Sequence, residues 1–290
     1  MPNLTISRDR VIERSHLLPS FPRFVTDILA ALDDPDGSLT VLADCVIRDP
    51  IITARVLSAA NIASARTRHM AEVNNIYNAI SLIGMSQVRQ LTLISGLGAF
   101  VGGVAVQGMP TTFWRHCVAV GVCCEELALN IEAPISTDAA LVAGLLHDIG
   151  QLWLFGFNAD AYRQCWRQAL SEAHGIEEVE REHFGVDHAT VGAWLAQHWA
   201  LPAPIVAAIQ GHHQPGARLD EPLVPLVHVA EVLANALDLG GGDENRVVAL
   251  SSLSCQQLGL VWDDRIRPMF GRIESRSRHT NTFFPADATP

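Results

Sequence analysis

Apolar residues recur along this chain three and four positions apart, the spacing of a buried helix face, and the alternation of a half-buried strand is almost absent. Phe24 to Leu32 is the first such run and stops in Asp33-Asp34-Pro35-Asp36-Gly37, a turn-forming cluster. Leu39 to Ile47 is closed by Arg48-Asp49-Pro50. Ile51 to Ala60 places Ile52, Val56 and Ala59 on one face, and Ile76 to Ile83 stops at Gly84. Ser86 to about Phe100 forms a further apolar helix, and Gly108-Met109-Pro110 then breaks the pattern.

Beyond the break, Thr111 or Thr112 can cap a helix running to about Leu129, and Thr137 or Asp138 opens one that reaches Gly150. Asp160 to His174 follows with a wetter face. Asp187 reads as the N-cap of His188 to Trp199, and Pro202 and Pro204 occupy the first turn of a helix ending at Gly211. Leu223 to Leu237 stops at Gly240-Gly241-Gly242, and Ser251 to Leu258 precedes a polar tail expected to fray beyond about Ser275. The class is all-α. The break near residue 108 separates an N-terminal helical lobe, 15–108, from a second lobe, 109–240, packed together as one unit, with a C-terminal helix and polar tail over 241–290.

Composition narrows the chemistry. At 290 residues with 49% hydrophobic and 18% charged positions, the chain can bury a substantial core and is not disordered. Its net charge of −11 opposes non-specific nucleic-acid binding, which needs a basic face. All 20 basic residues are Arg, so a Walker-type phosphate loop, a Schiff-base lysine and a lysine general base are excluded. The six cysteines form no Cys-x-x-Cys pair and follow no secretory signal, which fits reduced, buried thiols in the cytoplasm. The uncharged stretch between Arg89 and Arg115 is interrupted by five glycines and Pro110, so it lacks an unbroken apolar helix of ~20 residues and no membrane span is expected.

Candidate chemistry gathers on histidines. Leu145-Leu146-His147-Asp148-Ile149-Gly150 sets an imidazole beside a carboxylate in an otherwise apolar segment, and both are ligand types for divalent cations such as iron, manganese or zinc. His116, His188, His212 and Glu231 lie on other helical segments, the way helical bundles build metal sites from inward side chains. Together with His147 and Asp148 they could hold one ion or two. On a continuous helix only one of His212 and His213 faces inward. His16, His69, His174, His183, His198, His228 and His279 read as packed or surface residues.

The order His116, His147-Asp148, His188, His212, then an acid at Glu231 resembles the ligand pattern of the HD-domain superfamily of metal-dependent phosphohydrolases. More narrowly, the chain is similar to the HDOD family, the HD-related output domain of bacterial signalling proteins. The resemblance is carried by Leu18-Pro19-Ser20-Phe21-Pro22, Asp49-Pro50, Val56-Leu57 with Ala60-Asn61, and Ala79-Ile80-Ser81-Leu82-Ile83-Gly84 in the first lobe. In the second it is carried by Gly144 to Gly150, Phe184-Gly185-Val186-Asp187-His188, Trp199-Ala200-Leu201-Pro202 and His212-His213-Gln214-Pro215. Coverage runs over roughly 15–240. The resemblance implies an HD-like helical bundle with an N-terminal helical lobe packed against it.

The departures bear on activity. Related phosphodiesterases of the HD-GYP type continue the first motif into a lysine and carry a Gly-Tyr-Pro block after the paired histidines. This chain has Gln151 and then Gly216-Ala217-Arg218. Its last acid is Glu231, where the superfamily pattern has Asp. The expected function is a bacterial, cytoplasmic signal-transduction output module that keeps a metal pocket and binds a signalling protein or a small phosphorylated ligand. The alternative is an active metal-dependent phosphohydrolase or cyclic-nucleotide phosphodiesterase, with His147 and Asp148 at its centre and Arg115 beside His116 as a phosphate contact.

Overall fold

The computed structural model describes residues 5–30, 35–66, 73–105, 109–172, 174–217, 220–241 and 249–281. Among these residues every regular element is helical. Asp33, Asp34, Gly108, Arg218 and Gly242, named above in turns or motifs, lie outside them, as do His69 and the chain beyond 281.

Packing divides the chain into two compact units, 22–100 and the remainder. The lobes expected at 15–108 and 109–240 are thus drawn differently. The first helix, α1 (Arg8–Glu13), starts at Ser7, whose hydroxyl accepts from Arg10 N–H, and it packs with the later unit. Ile6 N–H donates to the Phe184 carbonyl at 2.9 Å, Trp153 Nε1 donates to the Arg14 carbonyl at 3.2 Å, and Phe21 stacks on Trp199 at 4.5 Å. The Phe21–Trp199 stack joins the Leu18 to Pro22 motif to the Trp199 to Pro202 motif.

The unit 22–100 contains α2 (Arg23–Ala30), α3 (Pro35–Arg48), α4 (Pro50–Arg66), α5 (Ile76–Ile83) and the start of α6 (Met85–Ala105). Asp49 caps α4 by accepting from Ile51 and Ile52 N–H at 2.8 and 3.1 Å, and Pro50 sits at the first helical position, where no N–H is missed. Asn61 bonds both the N–H and the carbonyl of Val73, at 2.8 and 2.9 Å. Asp49-Pro50 and Asn61 therefore hold local structure.

The larger unit is built on α7 (Thr111–Ala128) and α8 (Thr137–Leu146), with α9 (Ile149–Phe157), α10 (Ala159–Glu172), α11 (Ile176–Phe184), α12 (His188–His198), α13 (Ala203–Gly211) and α14 (Leu223–Ala236) around them. Two glycines permit the closest crossings. A Cβ on Gly144 would stand 2.7 Å from Gly121 Cα, so α8 lies backbone to backbone on α7. A Cβ on Gly150 would stand 2.0 Å from the His188 carbonyl oxygen, so α9 lies directly on the start of α12. The segment 137–157 has the length and hydropathy of a membrane span, but 89% of its apolar window is buried inside the fold and two helices share it.

After α15 (Ser252–Gln257), the tail expected to fray past Ser275 is instead α16 (Arg267–Asn281). It buries Met269 and Ile273 and packs on α7, where Arg276 pairs with the buried Glu125 and Glu126 and Arg272 donates to Glu126 at 2.8 Å. Its polar sequence concealed a narrow apolar face and three ion pairs. All six cysteines are free; Cys123 and Cys124 are fully buried, and burial pushes both thiols up, away from reactivity.

Candidate metal centre

The helix expected to run unbroken from about residue 137 to Gly150 ends at Leu146, and a new one starts at Ile149. His147 keeps helical angles, but Asp148 sits at φ −100°, ψ 12°. This bend turns the two side chains toward one point, with His147 Nε2 3.2 Å from Asp148 Oδ2. On a straight helix they would diverge by about 100°.

All six expected ligands gather there. Around the buried Asp148 carboxylate, His188 Nε2 is 3.1 Å and His212 Nε2 3.8 Å from Oδ1, while His116 Nε2 is 3.8 Å from Oδ2. Asp148, His188, His212 and His213 each offer a donor atom within 4.8 Å of the others, and so do His116, His147 and Glu231. The donors thus form two groups, one on each side of Asp148.

His213 is a correction. α13 ends at Gly211, His212 keeps helical angles as its C-cap, and both histidines of the pair reach the centre, with His213 Nε2 2.9 Å from His188 Nε2. Of the histidines read as packed, His228 Nδ1 bonds the His212 carbonyl at 3.0 Å and His183 Nε2 bonds Gln168 at 2.8 Å. Both brace neighbours.

The backing of each imidazole sets its tautomer. His147 Nδ1 donates to the Gly144 carbonyl and His212 Nδ1 to the Ile209 carbonyl, each at 2.8 Å, which leaves both Nε2 lone pairs facing the centre. Behind His188 stands Glu180, which sequence reasoning missed. Its Oε2 accepts from His188 Nδ1 at 2.6 Å and from His188 N–H at 2.7 Å, and its Oε1 accepts from the Tyr162 hydroxyl at 2.5 Å. Glu180 lies on α11, whose Ile176, Val179 and Phe184 spacing was a usable helix signal. Glu177, Glu178 and Glu182 around it leave nothing in the sequence to single out Glu180.

Charge balance at the centre favours a cation. Burial alone would raise the Asp148 carboxyl, but His147 and His188 outweigh it and hold the group well below the carboxylate range. Burial likewise disfavours charge on His188 and His147. Glu180 and Asp148 overcome this for His188, and Asp148 for His147, so both titrate above an ordinary imidazole. Burial, then His147, lowers His116 to about 4; burial, then His188, lowers His213 to about 3; and burial raises Glu231 to about 7. His147 Nε2 and Asp148 Oδ1 are buried and, beyond their close contacts with Asp148 Oδ2 and His188 Nε2, make no well-formed hydrogen bond. Orphaned donor atoms of this kind, on a His/Asp/Glu set, fit a divalent cation.

This arrangement can be set beside known proteins. The HDOD domain family model matches residues 18–215, more than two thirds of the sequence and every residue of the centre except Glu231. The chain belongs to the HDOD family. Among solved structures, this HDOD chain is similar to an HDOD domain protein of unknown function from Geobacter sulfurreducens, with a TM-score of 0.74 and 22% identity over 96% of this chain and 98% of that one. It is also similar to a phosphohydrolase candidate from Shewanella amazonensis SB2B, with a TM-score of 0.65 and 24% identity over 93% and 97%. A signal-transduction candidate from Marinobacter aquaeolei VT8 has a TM-score of 0.68 and 19% identity over 97% of this chain and 61% of that one. These likenesses show the shared helical fold. An uncharacterised Treponema pallidum protein is 24% identical over 238 residues, and the chain spans 44% of its length.

Proposed function

We propose that this HDOD protein is a bacterial, cytoplasmic signal-transduction output module whose HD-like pocket holds one or two divalent cations. His188, His212 and His213 would hold one on the Oδ1 side of Asp148; His116, His147 and Glu231 would hold another on the Oδ2 side. Iron, manganese and zinc all suit this donor set. The observation that carries the reading is the buried Asp148 carboxylate ringed by imidazole nitrogens, with His147 Nε2 and Asp148 Oδ1 in close polar contact inside that ring but in no well-formed hydrogen bond.

A bound cation would supply Lewis acidity toward a phosphoryl oxygen, which keeps phosphohydrolase or phosphodiesterase activity as the second reading. One observation favours it: a pocket of about 260 Å³ borders His213 and is lined by Arg181, Thr190 and Gln214. Against turnover, Arg181 is already bonded to Asp187 Oδ2 at 2.5 Å, and the chain has no lysine to replace it as a phosphate clamp. The output role therefore leads, with a signalling protein or a small phosphorylated ligand as the partner.

Metal analysis of the purified protein, paired with assays on cyclic dinucleotides and simple phosphoesters, separates the readings. The expected result is a bound cation lost in His147→Ala and Asp148→Ala, with no turnover above background. A protein that stays metal-free after reconstitution would overturn the pocket. Turnover that disappears in both variants would overturn the output role in favour of hydrolysis.

A further inference from the structure

We propose that Glu180, clamped by Tyr162, is a positioning residue that makes the His188 side of Asp148 the tighter of two cation positions. The inference rests on the cation-binding reading above and adds an order to it.

The two sides differ in what stands behind their ligands. His147 and His212 lean on neutral carbonyls, whereas His188 leans on a carboxylate with no exposed surface. The three hydrogen bonds that Glu180 accepts come from a phenol, a backbone N–H and the His188 imidazole, and among the described residues no guanidinium bonds to it. A carboxylate buried this completely is costly unless a positive charge compensates it. A glutamine would satisfy the same three contacts at lower cost. Among the described residues, His188 is the group through which positive charge reaches Glu180, and its far ring nitrogen faces Asp148 Oδ1 at 3.1 Å. Carboxylates placed this way fix the ring and raise its basicity as a ligand. On the opposite side two of the three ligands, His116 and Glu231, are half-buried, whereas on this side His213 alone is.

Glu180→Gln isolates the charge. Its amide oxygen can keep accepting from both His188 N–H groups, and its amide can donate to the Tyr162 oxygen, so shape and tautomer persist while the charge goes. Full-length wild type, Glu180→Gln and Tyr162→Phe would be titrated with Zn²⁺ and with Mn²⁺ against a competing chelator. Circular dichroism of each cation-free form would serve as the folding control.

The expected wild-type result is two resolvable steps. Glu180→Gln weakens the tighter step by about 10- to 100-fold and the weaker one by less than about threefold. Tyr162→Phe, which frees the carboxylate without discharging it, weakens the tighter step by a few fold. In Co²⁺-loaded protein the visible absorption of the first equivalent shifts in Glu180→Gln and that of the second does not. A single undivided step, or equal weakening of both steps, overturns this inference alone. An unchanged tighter step does the same. If Glu180→Gln fails to fold, an unshifted tighter step in Tyr162→Phe overturns it. No uptake by wild type overturns this inference together with the reading it rests on.

Discussion

The two sides of Asp148 use nearly the same donors but are supported differently. On one, His188, His212 and His213 come from the start of α12 and the end of α13, the first two fully buried and His213 half-buried, with Glu180 and Tyr162 behind His188. On the other, His116, His147 and Glu231 come from α7, the end of α8 and α14, with a backbone carbonyl behind His147 and partial exposure at His116. Ligand identity alone would rank the sides as equals. The groups behind the ligands, and the helix crossings that carry them, make the difference.

Removing the residue both sides share has the largest effect. Asp148→Asn keeps the shape but discharges the carboxylate between the two groups, so metal content by mass spectrometry should fall to background, a loss of affinity above about 100-fold. Retention of a stoichiometric ion would show that the sides do not depend on a common carboxylate.

The glycine crossings separate the sides by stability. Gly150→Ala drives a methyl into the His188 carbonyl and should lower unfolding free energy by about 2–4 kcal/mol in chemical denaturation. Gly144→Ala strikes Gly121 less closely and should cost about 1–3 kcal/mol. Gly150→Ala should also disturb cation binding at His188 first, and Gly144→Ala at His116. The reverse order would break the comparison.

Proton traffic is a finer discriminator. His116, lowered to about 4, and His213, lowered to about 3, are neutral at pH 7 and ready to ligate, whereas His147 and His188 titrate high and must shed protons. Cation uptake at pH 7 should therefore release protons, and affinity should rise between pH 5 and 8. The cation-free protein runs the other way. Because the folded His188 titrates above its unfolded value near 6.5, its stabilisation is complete below that value and is lost as pH rises through the folded one. Calorimetry in buffers of different ionisation enthalpy counts the released protons, and pH-dependent unfolding checks the second sign.

The smallest effect lies at the α12 cap. Asp187 accepts from Thr190 N–H at 2.8 Å, and Asp187→Ala should cost about 1 kcal/mol and loosen the His188 side slightly. Its carboxyl would be raised by burial, but bonds from Thr190 and Arg181 hold it below 3.8, so its stabilisation is lost as pH falls through the folded value.

Much of this was legible in the residues. Helix after helix followed the three-and-four spacing, and the six side chains that the fold gathers at Asp148 were named from residue type and order. What escaped shares a physical cause. Periodicity reports which face is buried, not where a helix bends, so the break at His147-Asp148 and the inward turn of His213 were invisible. Glu180 sits among other acids on α11, and only the tertiary fold shows that its carboxylate alone points inward to an imidazole. The α16 docking was hidden in the same way, because its arginines meet Glu125 and Glu126 about 150 positions earlier in the chain.

The central claim is that cations belong on either side of Asp148. Anomalous diffraction from crystals of the reconstituted protein, recorded above and below the absorption edge of manganese or zinc, tests it most directly. The account predicts one peak between Asp148, His188, His212 and His213, stronger than or equal to a second between Asp148, His116, His147 and Glu231. A well-ordered pocket with no anomalous peak at either place would contradict it.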